Sequence, residues 1–497
     1  MNYKHTILVA FLFANLLSAQ TKNTFLESDF WSTKPSIEVV EQKIDEGHDP
    51  TALTSNGFDA VVYAILQEAP NETIKHLLTK IGNPVNKLTH DKRTYAFWSA
   101  YKNNAELLQY LATENADFSL RDSHHFSPLT FAAVAGVTNT DIYDICIKNG
   151  IDVKTDVDEH GANALLLLTP HLANFELVDY FTSKGLDLNS VDQDGNGVFN
   201  YTAKAGNKAM LELLIKKGVP YKVLNKKGEN ALFLATKGSR KGYNTLDYLK
   251  YLEALGLEAN IINTDGKTPL HNLAYGNKDL ETFSYFINKD VAVNQIDVEG
   301  NTALINASSR NTLEIVAFLA SKTDAINQVN KDGESALTKA ISNTPEVVQF
   351  LIKKAADVHV IDAKGNNLGY YLLKSFRAKA SDTFGEKLAA LSNKGFNIKT
   401  SQKDGNSAYH LALDNRDALE LLKVVHNFGV DINAKNNSGL TPLHKAVMQA
   451  KDEKILKYLL SIGAKKDIRT DFDETVYDLA KENEYLQNHQ IDINFLK

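Results

Sequence analysis

Apolar positions along this chain fall in short stripes of helical spacing, set in pairs and closed by glycine. Leu211, Leu214 and Ile215 precede Gly218, and Leu456, Leu459 and Leu460 precede Gly463. Residues three and four apart share a helical face, and a glycine just past the end supplies the left-handed residue that stops the helix. Before such a stripe comes a shorter one opened by a turn, seen most clearly in NTDGKTPLHNLAYGN at 263–277. There Asp265 and Gly266 suit a tight turn, Thr268 offers a capping hydroxyl, and Pro269 has the fixed φ wanted at a first helical position. Leu270 and Ala274 then share the buried face. The pattern predicts helix–turn–helix units. Between units, 185–189 and 429–433 alternate polar and apolar residues, which predicts the two arms of a hairpin-like finger.

The turn glycine works as a clock. It recurs at Gly57, Gly161, Gly195, Gly228, Gly266, Gly300, Gly333, Gly365, Gly405 and Gly439, with Lys92 and His125 standing where the count calls for one. Successive positions lie 32 to 40 residues apart, a regularity that unrelated domains do not keep. A chain of 497 residues is therefore read as one array of about twelve units rather than three or four globular domains.

NNSGLTPLHKAVMQA at 436–450 repeats the first motif almost intact. Both stretches resemble the ankyrin repeat, whose signature contains T-P-L-H-x-A at a period of about 33 residues. The resemblance implies an all-α solenoid of stacked helix-turn-helix ankyrin repeats joined by β-hairpin-like fingers. Residues 24–53 then form a degenerate N-terminal capping repeat, 54–468 about twelve repeats, and 469–497 a C-terminal capping repeat with Asp473 in the place of glycine. Thr268, Pro269, Thr441 and Pro442 take structural roles at helix starts. In the family, the histidine of the motif ties its unit to the adjoining backbone, a role that falls here to His271, His410 and His444.

Composition narrows the function. Lysine and arginine number 54 against 61 acids, for a net charge of −7 and a pI near 6.1, so no global basic field invites nucleic acid. At the start, Lys4 precedes an apolar run from Ile7 to Leu17, followed by Ser18 and Ala19. This reads as a signal peptide over 1–19, since about eleven apolar residues fall short of a roughly 30 Å hydrocarbon core. The expectation is an exported protein, periplasmic or secreted, with no transmembrane segment in the mature chain. Cys146, the one cysteine, falls in step with Ile142 and Ile145 and reads as a small buried hydrophobe.

Candidate chemistry is thin. Gly266, Lys267 and Thr268 end like a phosphate-binding loop, but Ile261 stands where its first glycine belongs. Asp192, Asp194, Asn196 and Gly197 open like a calcium loop, yet Ala203 replaces the glutamate at position twelve. His124 and His125 adjoin in a turn and are expected to lack further ligands. Neither H-E-x-x-H nor G-x-S-x-G occurs. No catalytic residues, metal or cofactor are expected.

Two units are stretched, around TKGSRKGYN and SFRAKASDTFG, and both insertions are expected in the turn between paired helices. The resemblance implies docking on finger tips and on the exposed part of the first helices. By register these positions include Tyr101, Lys102, Lys204, Lys227, Tyr275, Glu299, Arg310, Lys331, Lys364, Asn415 and Met448, with Tyr101, Tyr275 and Arg310 foremost because tyrosine and arginine are enriched in binding hot spots. The expected function is a non-enzymatic protein–protein interaction scaffold, monomeric, holding a protein partner on a concave solenoid face. A structural tether in the envelope, or an enzyme with an unrecognised site, are the alternatives.

Overall fold

The computed structural model describes residues 22–497, so the expected leader at 1–19 lies outside the described residues. The chain divides into two units. One comprises the chain up to Thr202 with Ala209–Pro220, and the other comprises Ala203–Lys208 with Tyr221–Lys497. Both are built from paired helices, mostly of five to nine residues. Helices so short do not persist alone in water, so each depends on apolar burial against its neighbours.

In the first unit, the opening segment buries Phe25 and Trp31 completely, and the Trp31 indole donates to the Phe25 carbonyl at 2.9 Å. Further along, Tyr95–Tyr101 packs on Pro128–Val134, which packs on Ala164–Leu168. Their partner helices Ala105–Thr113 and Thr140–Lys148 pack on each other as a second layer. Cys146 is fully buried there, and burial raises its thiol well above the ordinary range, as expected of a packing residue. The second unit repeats the plan. Pro269–Ala274, Ala303–Ser308 and Ala336–Ala340 form one layer, and Leu313–Ser321, Pro345–Lys353 and Ser381–Ser392 the other.

The fingers are held by turn hydrogen bonds. Among the described residues, extended pairing is confined to isolated bridges, at Val157–Asn163, Ser239–Gly242 and Val329–Ser335. In their place, an Asp or Asn three residues before the clock glycine organises the turn. Asn263 Oδ1 accepts the Asp265 and Lys267 N–H groups at 3.0 and 2.8 Å, while the Gly266 N–H returns to the Asn263 carbonyl at 2.9 Å. Asp297 does the same for Glu299 and Asn301. Consecutive fingers are then joined by backbone bonds: Thr264 N–H to Lys227 O at 2.9 Å, Val298 to Asp265 at 2.8 Å, Lys331 to Glu299 at 2.8 Å and Ala363 to Asp332 at 2.7 Å. This lattice satisfies backbone groups that a β-ladder would otherwise pair.

Every clock position in the array takes the left-handed conformation, including Lys92 at φ 62°, His125 at 63° and Asp473 at 65°. Glycine predominates there for a second reason: a Cβ at Gly333, where φ is 75°, would sit 2.6 Å from the Ala363 nitrogen of the next finger. Gly333→Val is accordingly expected to cost about 1–3 kcal/mol, read as a shift of the urea midpoint by circular dichroism. Gly218→Asn should cost less, because nothing lies within 4 Å of a Cβ there and asparagine tolerates the left-handed φ of 78° better than other side chains.

The two insertions behave differently from each other. The first forms a tight turn between Ala231–Ala235 and Leu246–Ala254, as expected. The second is only partly a turn. Its residues form a short 3-10 segment, Ala378–Ala380, and then extend the following helix to twelve residues, Ser381–Ser392. Lengthening of the inter-helix turn alone is thereby corrected: Phe384, Lys387 and Leu391 are buried on that helix, which keeps it folded.

Candidate protein-interaction surface

The motif histidines are ties between repeats. The Thr268 N–H donates to His271 Nδ1 at 3.0 Å, leaving Nε2 to carry the proton and donate to the Asn301 carbonyl at 3.0 Å. His410 repeats this between Ser407 and Leu440, and His444 between Thr441 and Ile468. Burial holds all three imidazoles below the ordinary histidine range. Pro269 and Pro442 stand at first helical positions, as expected.

A second tie was not legible in advance. Asparagines at the turn after the first helix reach back to the preceding turn. Asn311 Nδ2 donates to Ala274 O and Asn277 O, both at 3.0 Å, and Asn343 Nδ2 to Ser308 O and Asn311 O at 3.0 and 2.9 Å. Asn483 bonds Val447 O and Ala450 O in the same way. The signal was available as an asparagine recurring just after the first stripe. Where the second insertion displaces it, Lys387 serves instead, its buried ammonium donating to the Ile341 carbonyl at 2.9 Å. Burial lowers the Lys387 pKa, opposed by Glu346.

The same geometry corrects one expected docking residue. Asn415 is half-buried, and its amide donates to Leu373 O at 2.8 Å while its oxygen accepts the Asp417 N–H at 2.8 Å. It is a tie like Asn311, with its polar atoms already committed inside the chain. Lys227 is half-buried in its finger. Lys102 pairs with Glu68 at 2.7 Å, a surface pair worth little to stability.

The remaining expected positions face outward. Tyr101, Tyr275 and Met448 are 40, 47 and 54% exposed, and Lys204, Glu299, Arg310, Lys331 and Lys364 are also exposed. Tyr101 stacks on Phe131 at 5.1 Å, and Phe131 in turn lies 4.2 Å under the Arg93 guanidinium, itself paired with buried Asp122. In the second unit, Tyr275 and Arg310 line one groove with Asn272 and with Lys237 and Tyr243 of the first insertion. Lys237 is spoken for. Its ammonium bonds both oxygens of buried Glu229 at 3.0 Å, which pins the inserted turn to its own repeat.

Other chemistry is weak. The calcium-like opening is a finger turn whose Asp192 oxygens accept the Asn196 N–H at 2.8 Å and the Tyr201 hydroxyl at 2.9 Å, so protein donors occupy the positions a cation would need. His124, expected to lack further ligands, has Glu159 at 3.2 Å and Asp91 at 3.8 Å from the neighbouring fingers. Finger stacking brings them together across some 35 residues of sequence. Among the described residues no group of three or more His, Cys, Asp or Glu is placed to hold a metal ion, and no helix is long and apolar enough to cross a membrane.

A family model described as ankyrin repeats (3 copies) matches residues 165–254, 240–328, 277–362 and 378–470. The ankyrin repeat protein FPV031 of fowlpox virus (strain NVSL) is 35% identical over 136 residues, 27% of this chain and 37% of that one. The nuclear factor NF-kappa-B p105 subunit of Gallus gallus is 32% identical over 139 residues, 28% of this chain and 13% of its own. Alpha-latroinsectotoxin-Lt1a of Latrodectus tredecimguttatus is 24% identical over 280 residues, 47% of this chain and 20% of the toxin. The chain thus spans 37% or less of the length of each of these relatives.

Proposed function

Because this chain belongs to the ankyrin-repeat family, whose model matches more than half of it, we propose that it is an exported, non-enzymatic scaffold that binds a protein partner. In this reading the array runs over 54–468 as about twelve repeats, closed by capping repeats at 24–53 and 469–497. The leader at 1–19 delivers it to the periplasm or the extracellular space as a monomer. Docking takes place on the concave face made by first-helix ends and finger tips.

One observation carries the reading. Where the repeat framework leaves a first-helix end open, this chain places large side chains of the hot-spot type: Tyr101, held by stacking on Phe131, and Tyr275 and Arg310 lining one groove. A pre-positioned anchor loses little conformational freedom on binding. Affinity capture with the full chain from envelope and culture fractions should recover a stoichiometric partner. Alanine at Tyr101, Tyr275 and Arg310 together should weaken that capture at least tenfold while leaving the helical melting profile in place. Retention of several envelope components regardless of these substitutions would replace the scaffold with a tether, and turnover by the purified chain would replace it with an enzyme.

A further inference from the structure

Both inserted segments lie in the second unit, and each contributes to a groove that sets tyrosine beside arginine. The first groove, of about 420 Å³, is formed where the inserted turn approaches Tyr275 and Arg310. Its lining includes two tyrosines, a guanidinium and the Lys237 ammonium, and no carboxylate. Arg310 is exposed and, among the described residues, makes no ion pair, while the other lining cation, Lys237, is held by Glu229. Arg240 and Lys241 at the tip of the inserted turn are likewise exposed.

The second groove, of about 390 Å³, sets Tyr370 beside Arg377 and Arg416. Arg377 comes from the second insertion and is oriented by its own backbone, its Nη1 donating to Phe376 O at 2.6 Å. The one carboxylate here, Asp414, is already bonded to Lys445 at 2.7 Å. The chain as a whole carries more acids than bases. A groove whose arginine has no acid beside it, and a second whose one acid is already paired with Lys445, therefore run against its composition, and each is built in part by an inserted segment.

We propose that these two grooves are seats for aspartate or glutamate side chains presented by an acidic segment of the partner protein. The inference rests on the scaffold reading above. A planar guanidinium takes a carboxylate through two parallel N–H bonds, and flanking tyrosine rings exclude water from one side of that pair. A phosphate backbone is the lesser fit: the net charge of −7 repels a long polyanion, whereas a short acidic segment engages the local cations only.

The test is a fluorescence-anisotropy titration of the full chain with a labelled peptide of alternating glutamate and glycine. A lysine–glycine peptide, a single-stranded oligonucleotide and phosphatidylserine vesicles serve as rivals. The glutamate peptide should bind tightest, and Arg310→Glu and Arg377→Glu together should weaken it at least tenfold, each reversal alone removing one of the two seats. Stronger binding of the oligonucleotide or the vesicles would overturn the proposal, as would glutamate-peptide affinity unmoved by either charge reversal. The two readings fail separately. A captured partner lost on Tyr101→Ala but indifferent to Arg310→Glu and Arg377→Glu keeps the scaffold and removes the acidic seat. Peptide binding through Arg310 without any captured protein keeps the seat chemistry and removes the scaffold.

Discussion

Asp59→Ala is expected to destabilise the first unit by about 3–5 kcal/mol, the range for breaking a buried ion pair from one side. Asp59 is fully buried. One carboxylate oxygen accepts the Tyr95 hydroxyl at 2.8 Å and the Lys87 ammonium at 2.9 Å, and the other caps the helix Ala60–Leu66 through the Val62 N–H at 2.9 Å. Alanine removes the cap, strands a buried phenol and leaves a nearly buried ammonium with only Thr51 O and Asn83 Oδ1. Both tryptophans, Trp31 and Trp98, lie in this unit, so tryptophan fluorescence in urea follows it selectively. Combining Asp59→Asn with Lys87→Met should recover most of the loss, because the amide oxygen keeps the cap, the amide nitrogen donates to the Tyr95 oxygen in place of accepting from it, and no lone charge is left. A shift under about 1 kcal/mol in the alanine variant would mean that water or neighbours solvate this cluster better than the packing suggests.

Acidification should act mainly on the second unit. His271, His410 and His444 all lie there, buried and held below the ordinary histidine range by desolvation. In the unfolded chain they return to about 6.5. Between those limits the unfolded state binds more protons than the folded one, so stability increases with pH. Their contribution is fully present above about pH 6.5 and is lost as pH falls through the lowered folded values. Each histidine can add a limiting slope of about 1.4 kcal/mol per pH unit. Protonation also turns Nδ1 into a donor facing the Thr268, Ser407 or Thr441 N–H, which breaks the bond at the helix start while the Nε2 bond to the next repeat remains. Circular dichroism melts between pH 7.5 and 5 should therefore fall more steeply than tryptophan-detected melts of the first unit. Replacing all three with glutamine should lower the melting point at neutral pH and flatten the acid slope. An undiminished slope in that variant would place the titrating groups elsewhere.

The residues that could be read in advance are those whose effect is local. Gly266, Thr268 and Pro269 announce a turn and a helix start because left-handed φ, a capping hydroxyl and a preset φ are properties of the residue and its near neighbours. Even Lys92 and His125 kept the clock, since the turn geometry is enforced from both sides and the strain of a non-glycine residue is small beside it. Asn415 shows the limit. By register it belongs with exposed docking positions, yet its amide is used up on Leu373 O, because which carbonyl lies within reach depends on how the preceding turn is stacked.

By itself, then, the chain's sequence determined the period, the helix pairs and the turn positions, all of which follow from short-range conformational preference repeated at a constant interval, while the histidine ties were implied only by the resemblance to the ankyrin repeat. Only the tertiary structure decided which side chains meet between repeats. Lys387 takes over from an asparagine, Lys237 is consumed by Glu229, His124 comes to lie between Asp91 and Glu159, and Tyr275 and Arg310 line one groove with an inserted turn. Different residue types can satisfy the same carbonyl or carboxylate. Partners some 35 positions apart are brought together by stacking rather than by any local pattern.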